Sequence, residues 1–450
     1  MLGWYLQFPL LYTLIKENFS FFQSFLKKRL VKNSIYTGLA LIFIGLIPFT
    51  FNFLVGRTFG ANTLGKINIT LNFCLIITIF ISNFFGSAGN KFLAEFRGRE
   101  NFNNFIFTLK IILFGSVSSL AFVSFILLKW WSYFSERFSL PQDAFNIIII
   151  YIFSRTMYIL SRRTLYGMDL VKNYTFNEIV SALFMLGSTF YVCFVGNENL
   201  LLQTYILSYI IFFLFCLLSI SKNFRLFKHK LNKNNELSKR QVFINYLKYG
   251  TVSMVGTVAS TGTGYISVIV TGLVLDNTEA GIYTAALSIV SILMFFPKLF
   301  IQVFLPEFSK LFGENRKEKI LGIFKKTSSL IFIISAILCS ILFFISELVL
   351  SLFGNKFIEG AMVLKIIIPS VFIRMISIPC NAFLSGTKYI LYPNIGGVII
   401  LITSILSWYF LIPKYNLNGV AAGYSIGIVA GVGYQIIMTI TKMNNFIKTK

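Results

Sequence analysis

The sequence predicts an all-α integral membrane protein with about twelve transmembrane helices, in two six-helix lobes related by a parallel repeat. Three observations predict it. Hydrophobic residues make up 56% of the 450-residue chain and charged residues only 12%, about half the charged share of a soluble domain. The apolar residues gather into runs of ~20, the length that crosses a bilayer as a helix. The two halves of the chain carry similar short motifs in the same order. A soluble core of this size needs a polar shell that the composition does not supply, which excludes a soluble enzyme, a nucleic-acid-binding domain and a disordered chain.

The apolar segments lie near 34–55, 67–88, 105–128, 144–163, 175–195 and 201–220, and again near 247–274, 281–303, 327–348, 360–383, 391–412 and 419–441. They divide the chain into an N-terminal lobe at 34–220 and a C-terminal lobe at 241–450. Between them the stretch 221–240 is polar and basic and reads as a cytoplasmic linker. Residues 1–33 read as an interfacial segment with a basic cytoplasmic flank: Lys27, Lys28, Arg29 and Lys32 follow its apolar stretch, the reverse of a signal peptide.

The net charge of +24 suggests nucleic acid in a soluble protein, but here the basic residues mostly sit between apolar segments. With the N-terminus inside, the inner segments hold 28 Lys and Arg and the outer loops hold 6. That asymmetry places both termini in the cytoplasm, in a multi-pass protein of the inner membrane whose basic loops meet anionic lipid. Cys74, Cys193, Cys216, Cys339 and Cys380 fall in apolar stretches without a CxxC pair, and the single histidine, His229, lies in a basic loop. The cysteines read as small buried residues, and no metal site or cofactor is expected.

The halves repeat. Phe92-Leu-Ala-Glu-Phe96 returns as Phe304-Leu-Pro-Glu-Phe308 at a shift of 212, Gly65 as Gly281 at 216, and Leu165-Tyr-Gly167 as Leu384-Ser-Gly386 at 219. Six helices per half is an even number, so both halves enter the membrane in the same sense. Two lobes rocking about a central cavity follow from such parallel repeats. Arg155 and Arg374, also 219 apart, lie at equivalent places inside the fourth and tenth segments. Facing lipid, each costs about 2.5–3.5 kcal/mol. Facing a shared wet cavity, they form a cationic site suited to phosphate oxygens. Snorkelling, or a bond to backbone at a helix break, is the alternative. Lys298 and Lys365 are candidates for the same cavity, although long lysine stems also reach the interface.

In the seventh segment Gly250, Gly256, Gly262 and Gly264 alternate with hydroxyl residues such as Thr257. This pattern suits either tight packing or a cavity lining that bends during transport. Glu178, near the start of the fifth helix, and Asp276, at the outer end of the seventh, are candidates for a coupling cation; a helix cap is the plainer role for such residues. No span holds paired carboxylates at helical spacing, which argues against a membrane enzyme.

Four motifs carry a resemblance. They are Gly56-Arg-Thr-Phe-Gly60 followed by Gly65; Phe92-Leu-Ala-Glu-Phe96 with Arg97-Gly98-Arg99; Tyr166-Gly167 with Asn173 and Asn177; and Leu417-Asn-Gly419-Val-Ala-Ala-Gly423-Tyr. In order and spacing, over residues 34–443, they resemble the multidrug/oligosaccharidyl-lipid/polysaccharide exporter superfamily, and within it the bacterial O-antigen and capsular polysaccharide flippases. The resemblance implies a non-enzymatic transporter that flips polyprenyl-pyrophosphate-linked oligosaccharide by alternating access, as a step of polysaccharide (O-antigen, lipopolysaccharide or capsule) biosynthesis. Candidate partners are membrane lipids, a coupling cation and a glycan polymerase, and no nucleic acid is expected; the chain departs from the drug exporters in having no clear acidic sodium or proton site. The two extra helices of lipid II carriers are not found, which argues against a peptidoglycan role. The runner-up reading is a cation-coupled multidrug exporter of the same superfamily.

Overall fold

The computed structural model describes residues 29–138, 140, 142–230, 238–294, 311, 316–387, 389 and 391–448. Among these, α-helices account for nearly everything: α1 (Arg29–Gly98), α2 (Phe102–Lys129), the short α3 (Trp131–Arg137), α4 (Phe145–Gly167), α5 (Val171–Val195), α6 (Leu201–Lys230), α7 (Lys239–Val274), α8 (Asn277–Leu293), α9 (Lys317–Phe344), the short α10 (Ser346–Ser351), α11 (Ala361–Ile376), α12 (Ile378–Gly386) and α13 (Leu391–Lys448). Seven of the described helices are long and apolar enough to cross a membrane, or eight if the bent pair formed by α11 and α12 is one span. Large apolar side chains such as Phe114, Phe122, Phe194 and Phe410 lie on the outside, the arrangement expected when the surrounding solvent is hydrocarbon.

Two of the long helices are each a pair. α1 breaks at Gly60, whose φ of 83° and ψ of −178° fall in a region that essentially only glycine visits. Its two arms carry the first two expected segments. α13 breaks at Asn416, with φ 46° and ψ −125°, and carries the last two. Its arms close tightly because Gly419 lies under the Leu411 carbonyl and Gly423 against Trp408, whose indole donates to the Val420 carbonyl at 3.0 Å. α4 is 23 residues long and holds three arginines, Arg155, Arg162 and Arg163. Of the expected 281–303 segment, the structure describes the part up to 294.

Three boundaries differ from the sequence reading. The basic stretch 221–230 continues α6, and 239–240 already belong to α7; no glycine or proline interrupts either end, so the helices run on past their apolar spans. The region before 34 is helical from Arg29. Glu178 lies two turns inside α5, which starts at Val171. Lys298, the second copy of the FL-x-EF motif and most of residues 1–33 lie outside the described residues.

The repeat appears in the structure as a reciprocal contact. A Cβ added to Gly65 would meet the Asn277 carbonyl oxygen at 1.7 Å, and one added to Gly281 would meet the Ala61 carbonyl oxygen at 1.9 Å. Ala61 and Asn277, like Gly65 and Gly281, are 216 residues apart. So are Asn62 and Thr278, whose side chains meet each other at 3.5 Å. Residues that touch their own repeat partners mark a two-fold axis between them. Here the axis runs where the second arm of α1 crosses α8, at the end of the bundle away from the basic loops.

Asp276 ends the connection between α7 and α8. It adopts an extended backbone and its carboxylate accepts from the Glu279 amide at 2.7 Å, the geometry of an N-cap.

Two predictions follow from these contacts. Cysteines at Asn62 and Thr278, in a background without native cysteines, should form a disulfide; adding Gly65→Ala should abolish it, because the new methyl pushes the helices apart. Asp276→Ala should lower stability by about 1 kcal/mol in thermal unfolding of the detergent-solubilised protein, while Asp276→Asn should leave it within a few tenths.

Candidate substrate cavity

The site grows from one face of α4. Arg155, Tyr158 and Arg162 are spaced three and four apart, so they stack along a single stripe of the helix. The Tyr158 ring lies between the two guanidiniums, 5.3 Å from Arg155 and 5.2 Å from Arg162. Arg155 also donates to the Tyr209 hydroxyl of α6 at 2.7 Å and lies 5.0 Å from that ring. Buried Tyr151 packs edge-on to Tyr209, and buried Tyr205 lies tilted against it. Aromatic faces with negative quadrupoles hold cations in a desolvated wall.

Lower on α4, Arg162 donates to the Tyr174 hydroxyl of α5 at 3.3 Å, and its Nε lies 3.5 Å from Glu178 Oε2. The Tyr158 hydroxyl donates to the other oxygen of Glu178. Arg163 donates to Ser87 and Asn83 of α1. A guanidinium inside a membrane protein faces the bundle interior and finds partners there, and all three do so here.

These side chains surround connected space. A lower chamber of about 370 Å³ is lined by Arg155, Arg162, Arg163, Asn83, Tyr174 and Tyr265, and by Thr257 and Thr261 of α7. An upper chamber of about 390 Å³ shares Arg155, Thr261 and Tyr265 with it and adds Asn52, Asn68, Asn72, Gly264, Tyr424 and Arg374. Asn52 donates to Ser288 at 2.7 Å and accepts from Asn68 at 3.0 Å, which ties the two lobes together at its roof. Toward the basic loops a third space of about 520 Å³ meets the lower chamber at Thr257 and holds Lys91, Lys248, Tyr249 and Glu95. The lower and upper chambers have no carboxylate among their described lining residues.

Arg155 and Arg374, matched in the sequence by the repeat alone, line the same upper chamber. Arg374 is half-buried; its carbonyl accepts from the Ser377 hydroxyl at 2.8 Å, while its guanidinium makes no hydrogen bond or ion pair with the described residues. Lys365 is elsewhere: its ammonium bonds Glu347 of α10 at 3.1 Å, and it lines none of the described chambers.

The seventh segment is an unbroken helix from Lys239 to Val274. Its small residues divide the two roles expected of them. Gly250 takes the close approach of the Phe84 carbonyl and Gly256 that of the Asn394 side chain, whereas Gly262 meets only its own helix. Thr257 and Gly264 face the chambers. Neither carboxylate proposed for a coupling cation is free for one in this arrangement: Glu178 is held by Arg162 and Tyr158, and Asp276 is a helix cap. No group of three or more His, Cys, Asp or Glu suited to a metal occurs among the described residues.

Arg162 and Arg163, which close the expected 144–163 segment, were not singled out in the sequence. The helix continues to Gly167, and the signal was the three-and-four spacing of Arg155, Tyr158 and Arg162. The tyrosine box gave no signal, because its members come from separate helices.

Comparison with known proteins agrees with this architecture. The family described as polysaccharide biosynthesis protein matches residues 30–312, and the family MatE matches 253–410. The chain is 28% identical over 252 residues to the capsular polysaccharide biosynthesis protein CapF of Staphylococcus aureus; the match spans 54% of this chain and 62% of that protein. Among solved structures, an inward-facing multidrug resistance MATE transporter of the MOP superfamily superposes with a TM-score of 0.75 at 12% identity, over 90% of this chain and 96% of that one. The lipid II flippase MurJ, in an inward closed conformation, gives 0.70 at 15% identity, over 92% and 90%. These two likenesses establish the fold. The chain belongs to the polysaccharide biosynthesis protein family, the polysaccharide-flippase branch of the multidrug/oligosaccharidyl-lipid/polysaccharide exporter superfamily.

Proposed function

We propose that the protein flips a polyprenyl-pyrophosphate-linked oligosaccharide from the cytoplasmic to the outer leaflet of the inner membrane by alternating access. The observation that carries this reading is the cavity itself: arginines from both lobes around a space walled by amides and hydroxyls, deep among the membrane-spanning helices. The pyrophosphate sits against the arginine stripe of α4, the sugars occupy the amide- and hydroxyl-lined upper chamber, and the prenyl chain extends between the lobes. Guanidinium forks match phosphate oxygens in geometry as well as charge. The capsular relative favours a capsule repeat unit over an O-antigen unit as the cargo.

The orientation rests on the positive loops: both termini are cytoplasmic, and the Lys91–Lys248 vestibule faces the compartment where lipid-linked sugars are made. A glycan polymerase acting on the flipped product completes the scheme. A cationic amphiphile of the kind drug exporters carry finds three arginines and no carboxylate in the lower chamber wall, which opposes it electrostatically.

Proteoliposomes holding a fluorescent polyprenyl-pyrophosphate oligosaccharide should show protein-dependent loss of signal to an impermeant quencher. Arg155→Ala combined with Arg374→Ala should abolish that flipping without changing expression or thermal stability by more than a few degrees. Arg155→Lys, which keeps the charge and loses the fork, should retain less than about a tenth of the rate. Movement of a cationic dye without movement of the lipid would overturn the reading in favour of drug export.

A further inference from the structure

Glu178 stands behind the arginine stripe and not in the cavity. Its side chain is 1% exposed and lines neither chamber. Arg162 lies between them: one edge faces Glu178 at 3.5 Å, and the side chain, 22% exposed, lines the lower chamber. The Tyr158 ring touches both Arg155 and Arg162 while its hydroxyl holds Glu178, so the carboxylate is fixed in place relative to both guanidiniums.

The charge count is informative. Arg155, Arg162 and Arg163 bring three positive charges to the lower chamber and Glu178 removes one, leaving two. A pyrophosphate diester carries one negative charge on each phosphorus. Transport requires binding strong enough to admit a ligand and weak enough to release it. Three uncompensated guanidiniums in a low-dielectric wall would hold such a head group too firmly. A carboxylate inside the chamber would repel the cargo by direct contact; one fixed behind an arginine weakens the attraction without occupying the path.

We propose that Glu178 is a positioning residue that sets, through Arg162, how tightly the cavity holds an anionic head group and therefore how readily the cargo leaves. This rests on the pyrophosphate reading of the cavity. A purely structural Glu178 acts in the opposite direction: losing it would leave Arg162 misplaced and weaken anion binding.

The test uses the full chain in lipid nanodiscs, with farnesyl pyrophosphate and inorganic pyrophosphate as probes. Glu178→Gln should bind both about tenfold more tightly, and in the proteoliposome assay its maximal flipping rate should fall as release slows. Arg162→Gln should bind more weakly than the native protein. Arg162→Gln combined with Glu178→Gln should return to near-native affinity, because two positive charges again remain. This double variant removes both charges of the buried pair, so neither is left unpaired, and it serves where Glu178→Gln fails to fold. Unchanged or weaker binding in Glu178→Gln, or a double variant no tighter than Arg162→Gln, overturns the proposal. If the affinities shift as stated for inorganic pyrophosphate while the native protein ignores the lipid probe, the role of Glu178 stands and the lipid-linked cargo falls.

Discussion

Buried positive charge is the constraint on which the rest of this structure depends. Arg155, Arg162 and Arg163 sit on a helix that passes through the membrane-spanning bundle, where hydrocarbon offers them nothing. Each therefore has to find aromatic faces, hydroxyls or a carboxylate on neighbouring helices. That requirement fixes how α4 is turned, which faces of α5 and α6 pack against it, and why tyrosines gather at one depth. The apolar rim of the bundle is interchangeable by comparison, since lipid tails and leucine side chains are equivalent surroundings.

The two lobes share a plan and divide its uses. At a shift of 219 residues, Arg155 of the first lobe corresponds to Arg374 of the second, Arg162 to Asn381, and Glu178 to Gly397. The first lobe has kept a charged network at these places. The second has small and neutral groups: Gly397 approaches the Gly256 carbonyl, with an added Cβ only 2.8 Å away, and Asn381 accepts from Ser385 at 3.0 Å. One lobe thus presents charge to the cavity and the other presents a close-packed wall of glycine and hydroxyl residues, with Arg374 as its remaining cation.

What the sequence shows follows the same division. Span positions were legible because hydrophobic runs of bilayer length have few other readings, and the helix breaks at Gly60 and near Pro413 fall between them. The Arg155–Arg374 correspondence was legible because the repeat supplies a second copy to compare. Arg162 and Arg163 were not: two adjacent arginines at the end of an apolar run look like a positive loop, and only the continuation of α4 to Gly167 turns them inward. Lys365 misled for the complementary reason, since a lysine inside an apolar run looks central until its bond to Glu347 shows it at a helix turn. The roles of Glu178 and the tyrosines depend on neighbours from other helices, which no local pattern records.

The glycine crossing sets how the two lobes meet. Where the second arm of α1 meets α8, the lobes touch through backbone, with no side chain interlocked between Gly65 and Gly281. Knobs in holes would have to unpack before the lobes could part; two bare helix surfaces separate as smooth bodies. The polar pair beside the crossing, Asn62 and Thr278, is already open to the surroundings at that end of the bundle. The Asn52–Ser288 and Asn68–Asn52 bonds just inside it link side chains that also line the chamber. A contact made of close backbone and amide bonds holds the lobes together by packing and by hydrogen bonding, without interlocked side chains.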